Sequence, residues 1–81
     1  MKQLLYFSGT WCQPCKTFRP IIESLTSEIP IVFIDVDASS QTAQQYNIRS
    51  VPTTVLIKDG IEIGRIVGVK SANDVRSLYN R

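Results

Sequence analysis

The sequence predicts an α/β fold of order βαβαββα, a four-stranded mixed sheet flanked by three helices. Three observations carry that prediction. Short apolar, β-branched runs alternate with stretches of helical periodicity, the pattern of a strand–helix–strand unit. A Cys-x-x-Cys pair, Cys12 and Cys15, falls at the first strand-to-helix junction and holds the only cysteines of the chain. An Asp59-Gly60 dipeptide between two apolar runs is a two-residue hairpin signal.

The elements follow in order. Leu4 to Phe7 is a continuous apolar run, read as a strand buried on both faces, and Ser8-Gly9-Thr10 ends it. Phe18, Ile21, Ile22, Leu25 and Ile29 then fall on one stripe of a helix. Pro14 fits its first turn, Pro20 should kink it by removing a bond and crowding the Lys16 carbonyl, and Pro30 closes the segment. Ile31 to Val36 is a second strand, and a right-handed crossover makes it parallel to the first. Asp37 to Asn47 reads as a short helix capped by Ser39 or Ser40, with Ala43 and Tyr46 turned inward. Thr53 to Ile57 is the third strand, expected antiparallel to the first, and Ile61 to Val67 returns as the fourth. Ser71 and Asp74 form a capping box for a last helix whose apolar face is Val75, Leu78 and Tyr79.

Composition bounds the function. With 81 residues the chain supplies one core, so residues 1–81 are expected to be a single domain, and 43% hydrophobic residues fit a globular one. A net charge of +2 with scattered cations argues against a nucleic-acid footprint, and no stretch reaches the length of a bilayer span. Histidine is absent, which removes Ser-His and Cys-His pairs and Cys₂His₂ zinc sites. No further thiolate could complete a metal site within the chain, so no metal or cofactor is expected. The N-terminal apolar run is four residues long and no small-residue cleavage site follows, so a cytoplasmic protein is expected rather than a secreted one. In that reducing compartment a Cys-x-x-Cys pair serves catalysis or metal binding more often than stapling.

The position of the pair points to redox chemistry. Cys12 would stand at a helix N-terminus, where unpaired N–H groups and the helix dipole favour a thiolate. Cys15, one turn later, would lie deeper and act as the resolving thiol, with Lys16 adding a nearby positive charge. Lowering a thiol pKa from about 8.5 to about 7 raises the thiolate fraction at neutral pH roughly sixteen-fold. The accompanying loss of nucleophilicity, roughly five-fold, leaves a net gain of about three-fold. Tuning therefore matters at least as much for how well Cys12 leaves. As a staple the pair is poor, since so short a loop removes only about 2 kcal/mol of chain entropy. A second constellation, Ile48-Arg49-Ser50-Val51-Pro52-Thr53-Thr54, places Pro52 just before the third strand. Antiparallel pairing with the first strand would bring Pro52 against the cysteines, and a cis Val51–Pro52 bond is expected there.

Together these features resemble the thioredoxin family. The resemblance rests on Trp11-Cys12-Gln13-Pro14-Cys15-Lys16, Pro20, Ile48-Arg49-Ser50-Val51-Pro52-Thr53, the Asp59-Gly60 hairpin and Gly68-Val69, in order from about residue 3 to the end. It implies a thioredoxin-like fold and a monomeric protein-disulfide reductase in which Cys12 attacks, Cys15 resolves and the two form a disulfide. The surface of Trp11, Gln13, Pro14, Val51, Pro52 and Gly68 would dock protein disulfide substrates. A thioredoxin-reductase-type protein would supply electrons. A glutaredoxin-like enzyme, or a redoxin dedicated to ribonucleotide reductase, is the alternative. From another class comes a binding subunit with incidental thiols.

Four departures bear on the transfer. The family usually begins with an extra strand and helix, whereas the first strand read here is expected to be the central one, so a fold of glutaredoxin length, lacking the usual N-terminal strand and helix, is expected. Gln13 stands where Gly is common, and Ser8 replaces a frequent second tryptophan. Tyr6 occupies the position of a buried Asp near the resolving cysteine, and Phe33 that of its buried Lys neighbour. Losing both partners avoids the stranded buried charge that losing one would leave. Asp35 and Asp37 are possible substitutes for the acid, although a strand end suits a solvated role better.

Overall fold

A computed structural model describes residues 1–81. Its elements are β1 (Lys2–Ser8), α1 (Gln13–Ser24), β2 (Ile31–Asp35), α2 (Ser40–Gln45), β3 (Thr53–Lys58), β4 (Ile61–Val67) and α3 (Ala72–Tyr79). The sheet order is β2-β1-β3-β4, with β1 parallel to β2 and antiparallel to β3, and β3 antiparallel to β4. The predicted order βαβαββα and the mixed four-stranded sheet are both present.

Strand periodicity divides the core in two. Leu4 and Tyr6 of β1 and Leu56 of β3 point to one face, where Phe18, Ile22, Leu25 and Ile29 meet Val75 and Leu78 of α3. Leu5, Phe7, Val55 and Ile57 point to the other, against Ala43 of α2 with Tyr46, Ile48 and Val51 around them. This two-sided burial is why the Leu4–Phe7 run shows no polar alternation. At the edge, β2 is only partly covered, and Val32 is exposed.

Several boundaries differ from the sequence expectation, each for a local reason. The apolar stripe runs to Ile29, but α1 ends at Ser24. Leu25 and Ile29 stay buried because successive turns carry them, with Leu25 N–H donating to Ile22 O and Ile29 N–H to Leu25 O. Periodicity continues there without a continuous helix. Pro20 lies inside α1, which continues through it to Ser24. Helix α2 is shorter than residues 37–47, and Ser39 is its N-cap by position but makes no side-chain capping bond. The Asp35 carboxylate supplies local order instead, accepting from Asp37 N–H at 2.8 Å and Ala38 N–H at 3.1 Å. Strand β2 ends at Asp35, although Val36 N–H still bonds Ser8 O.

At the β3–β4 hairpin Asp59 and Gly60 both take positive φ, 53° and 82°, the geometry whose twist matches the flanking strands. The capping box is formed in full, Ser71 Oγ accepting from Asp74 N–H and the Asp74 carboxylate accepting from Ser71 N–H. A contact that no local pattern announces joins β4 to α2. Arg65 forms a two-pronged pair with Glu62 and also donates to Tyr46 O at 2.7 Å.

Candidate active site

The site lies where β1 ends, α1 begins and β3 starts. Cys12 is the N-cap of α1, in extended conformation, and its Sγ accepts the Cys15 N–H at 3.1 Å. The local cause is the sequence after it: Pro14 cannot donate a backbone bond, and it sits in the first turn where none is needed. Cys12 and Cys15 are joined in a disulfide with Cα atoms 5.3 Å apart, inside the normal range. The two are almost equally buried, at 4% and 3% exposure, so Cys15 is not the clearly deeper of the pair that its position in the helix suggests. What separates them is their surroundings. Cys12 Sγ lies 3.7 Å from the Val51 carbonyl oxygen. Cys15 shares the lining of a cavity with Tyr6, whose hydroxyl donates to the Cys15 backbone carbonyl.

Pairing of β1 with β3 sets Phe7 opposite Thr53, which carries the start of β3 to the end of β1. The Val51–Pro52 bond is cis, Pro52 is buried, and its carbonyl accepts from Gly68 N–H at 2.8 Å. Gly68 has φ of 92°, a conformation in which a side chain is strained even though no atom crowds the Cβ position. Trp11 is 63% exposed, and its Nε1 donates to the Asp37 carboxylate at 2.7 Å. Its ring lies so close to Gly9 that a Cβ there would come within 2.8 Å of Trp11 Cε2. A cleft of about 160 Å³ runs from Trp11 past Ile48 to Val51. Gln13 and Pro14 are exposed on the first turn of α1. The structure thus brings Trp11, Cys12, Cys15, Val51, Pro52 and Gly68 together, with Gln13 and Pro14 at the rim.

Behind the disulfide lies a larger cavity of about 440 Å³, lined by Tyr6, Cys15, Lys16, Arg19, Phe33 and Asp35 among others. Tyr6 is fully buried, and its hydroxyl donates to the Cys15 carbonyl at 3.1 Å. Its ring meets Phe18 and Phe33 edge-on at 5.9 and 5.6 Å. Burial pushes the Tyr6 phenol above its ordinary value, partly offset by the Arg19 guanidinium, so it is a donor at neutral pH. Arg19 lies 4.8 Å from the Phe33 ring centroid. Of the two acids weighed as substitutes for a buried carboxylate, Asp35 lines this cavity and Asp37 is bound to Trp11. Sequence reasoning missed Gly9 and the Trp11–Asp37 bond. Only the adjacency of Gly9 to the Trp-Cys motif hinted at the first, and nothing local could have revealed the second.

The chemistry this arrangement allows is reversible exchange between a dithiol and a disulfide. No group of three or more His, Cys, Asp or Glu side chains lies close enough to hold a metal ion, and no helix is long and apolar enough to cross a membrane. The thioredoxin family model matches residues 1–81. Thioredoxin of Chlamydia trachomatis serovar D is 40% identical over 81 residues, covering 96% of this chain and 79% of that protein. Thioredoxin of Mycobacterium tuberculosis strain H37Rv is 39% identical over 71 residues, covering 83% of this chain and 61% of that protein. Among solved structures, Fasciola hepatica thioredoxin superposes with a TM-score of 0.91 at 31% identity, covering 99% of this chain and 79% of that one. Reduced Schistosoma mansoni thioredoxin gives 0.89 at 36% identity, covering 98% and 76%. A matching fold, a matching sequence along the chain and a Cys12–Cys15 pair at disulfide distance together make this chain a member of the thioredoxin family and a protein-disulfide oxidoreductase.

Proposed function

We propose that the chain reduces disulfides in other proteins with Cys12 as the attacking nucleophile and Cys15 as the resolving thiol. The observation that carries this reading is the N-cap position of Cys12, whose sulfur accepts the Cys15 N–H. A thiolate there gains a backbone donor and the positive end of α1. Cys12 sulfur attacks a substrate disulfide and forms a mixed disulfide, and one substrate thiolate leaves. Cys15 sulfur then attacks Cys12, the Cys12–Cys15 bond forms, and the second substrate thiolate leaves.

Trp11, Gln13, Pro14, Val51, Pro52 and Gly68 are the residues proposed to dock the substrate. The Val51 backbone beside Cys12 offers an extended substrate segment main-chain groups to pair with, and the cleft beside Trp11 takes an apolar side chain. The proposed electron donor is a thioredoxin-reductase-type protein, the proposed state a monomer and the proposed compartment the cytoplasm. Insulin reduction followed by turbidity tests this, first with a chemical dithiol, then with thioredoxin reductase and NADPH, and separately with glutathione and its reductase. Turnover with thioredoxin reductase is expected. Turnover with glutathione alone would favour a glutaredoxin-like enzyme. No insulin reduction, with a cellular role that survives Cys12→Ser and Cys15→Ser, would favour a binding subunit.

A further inference from the structure

Resolution requires Cys15 to lose a proton before its sulfur attacks, and the residue beside it at position 6 is a phenol that burial keeps protonated. Building on the reading of Cys15 as the resolving thiol, we infer that Tyr6 is a positioning residue for the resolving step and that the cavity it shares with Cys15 carries the Cys15 proton to solvent.

Geometry supports the first half. The Tyr6 ring is held between Phe18 and Phe33, and its hydroxyl ties β1 to the carbonyl of Cys15 itself. That bond fixes the turn of α1 from which Cys15 Sγ projects toward Cys12. For the second half, the cavity of about 440 Å³ far exceeds the roughly 10–15 Å³ of probe volume that one water needs. Thr10, Lys16 and Arg19 on its wall are exposed, so it opens outward.

The charged and titratable groups facing it are Tyr6 from β1, Lys16 and Arg19 from α1, and Asp35 from β2. Arg19 is paired with Glu23 at 3.1 Å, and one Asp35 oxygen is committed to two backbone N–H groups. On the far side of the disulfide, Arg49 lines the separate cleft beyond Trp11. Lys16 and Arg19 line the cavity together with Cys15, and the acceptor in this reading is water that enters it from solvent. The step balances. The Cys15 proton passes to water, the Cys15 thiolate forms the Cys12–Cys15 bond, and the Cys12–substrate bond breaks. The substrate leaves as a thiolate, reduced by two electrons in all, while the dithiol is oxidised.

Stopped-flow reaction of the reduced protein with an aromatic disulfide, dithiobis(nitrobenzoate), separates the steps. The first equivalent of coloured thiolate reports attack by Cys12, and the second reports resolution. Cys15→Ser should abolish the second phase. If it does not, the assignment of Cys15 fails and the inference with it. In the wild type the second phase should rise about ten-fold per pH unit between about pH 6 and 8, as for a thiol titrating directly against solvent. Asp35→Asn should keep that slope. A flat profile that Asp35→Asn converts into a slope would identify an internal carboxylate and overturn the solvent path. Tyr6→Phe keeps the ring and removes the bond. It should slow the second phase about five-fold, the equivalent of one typical hydrogen bond, leave the first within about two-fold and retain the slope. Equal slowing of both phases, or no change in the second, would overturn the positioning role.

Discussion

Replacing Tyr6 by Asp, the acid that the family resemblance places at this position, should cost most of the stability of the fold. Tyr6 has no exposed surface and packs edge-on against two rings. Removing so large a buried side chain costs about 3–5 kcal/mol, and the lost bond to Cys15 O about 1 more. The new carboxylate adds desolvation unless it stays neutral. The deficit is therefore at least about 4 kcal/mol, against a total of roughly 4–12 kcal/mol for a domain of this size. Its pH dependence has a definite sign. A buried carboxyl has its folded pKa raised above the unfolded value, so the deficit is smallest near about pH 4 and grows as pH rises toward neutrality.

Phe33→Lys should rescue part of the loss, because Tyr6 and Phe33 are cross-strand partners in the β1–β2 register. Rescue is limited by Arg19, whose guanidinium already sits over the Phe33 ring and would crowd a second cation. A coupling of about 1–3 kcal/mol is expected. Urea denaturation of the wild type, both single variants and the double variant, at about pH 4.5 and 7, measures it. A Tyr6→Asp variant within about 1 kcal/mol of wild type at both pH values would refute the reasoning, because water entering from the adjacent cavity would then be solvating position 6.

Three further outcomes are expected. Alkylation of the reduced protein across pH, read by mass spectrometry, should label Cys12 before Cys15 with a midpoint below about 8.5, and preferential labelling of Cys15 would reverse the assigned roles. Gly68→Ala should destabilise by about 1–3 kcal/mol, since φ at Gly68 is 92° and no neighbour crowds the new methyl, and should also weaken insulin reduction by shifting the N–H that Pro52 O accepts. Hydrogen bonds from Arg65 hold the Glu62 carboxyl below the usual carboxylate range, so its contribution is present above the unfolded value near 4.5 and lost as pH falls through the lower folded one. Glu62→Gln should accordingly flatten the acid limb of the stability curve by about 0.5–1 kcal/mol, and an unchanged limb in thermal melts would show the pair contributes nothing.

Much of the architecture was legible because it is written in short-range pattern. The continuous Leu4–Phe7 run, the Asp59-Gly60 turn and the Ser71–Asp74 box each act over a few residues, so each could be read locally. Element ends were less legible. Leu25 and Ile29 keep helical spacing after α1 has stopped, because burial selects for apolar residues whether a helix or a turn delivers them. Ser39 looks like a cap, but the Asp35 carboxylate takes the role of ordering the turn before α2.

The sequence by itself determined the order of elements and the dithiol–disulfide chemistry of Cys12 and Cys15, and the antiparallel return of β3 along β1 sets Val51 beside Cys12 as that order led one to expect. Only the tertiary structure decided the rest. Trp11 finds Asp37 across a separation of 26 residues, Arg65 finds Tyr46 O, and the Tyr6 hydroxyl finds the Cys15 carbonyl. The buried Tyr6 and the cavity beside Cys15 arise where β1, β2 and α1 converge, and no one segment encodes that convergence. Such contacts depend on the directions of long side chains and on the space left between packed elements, quantities set jointly by distant parts of the chain.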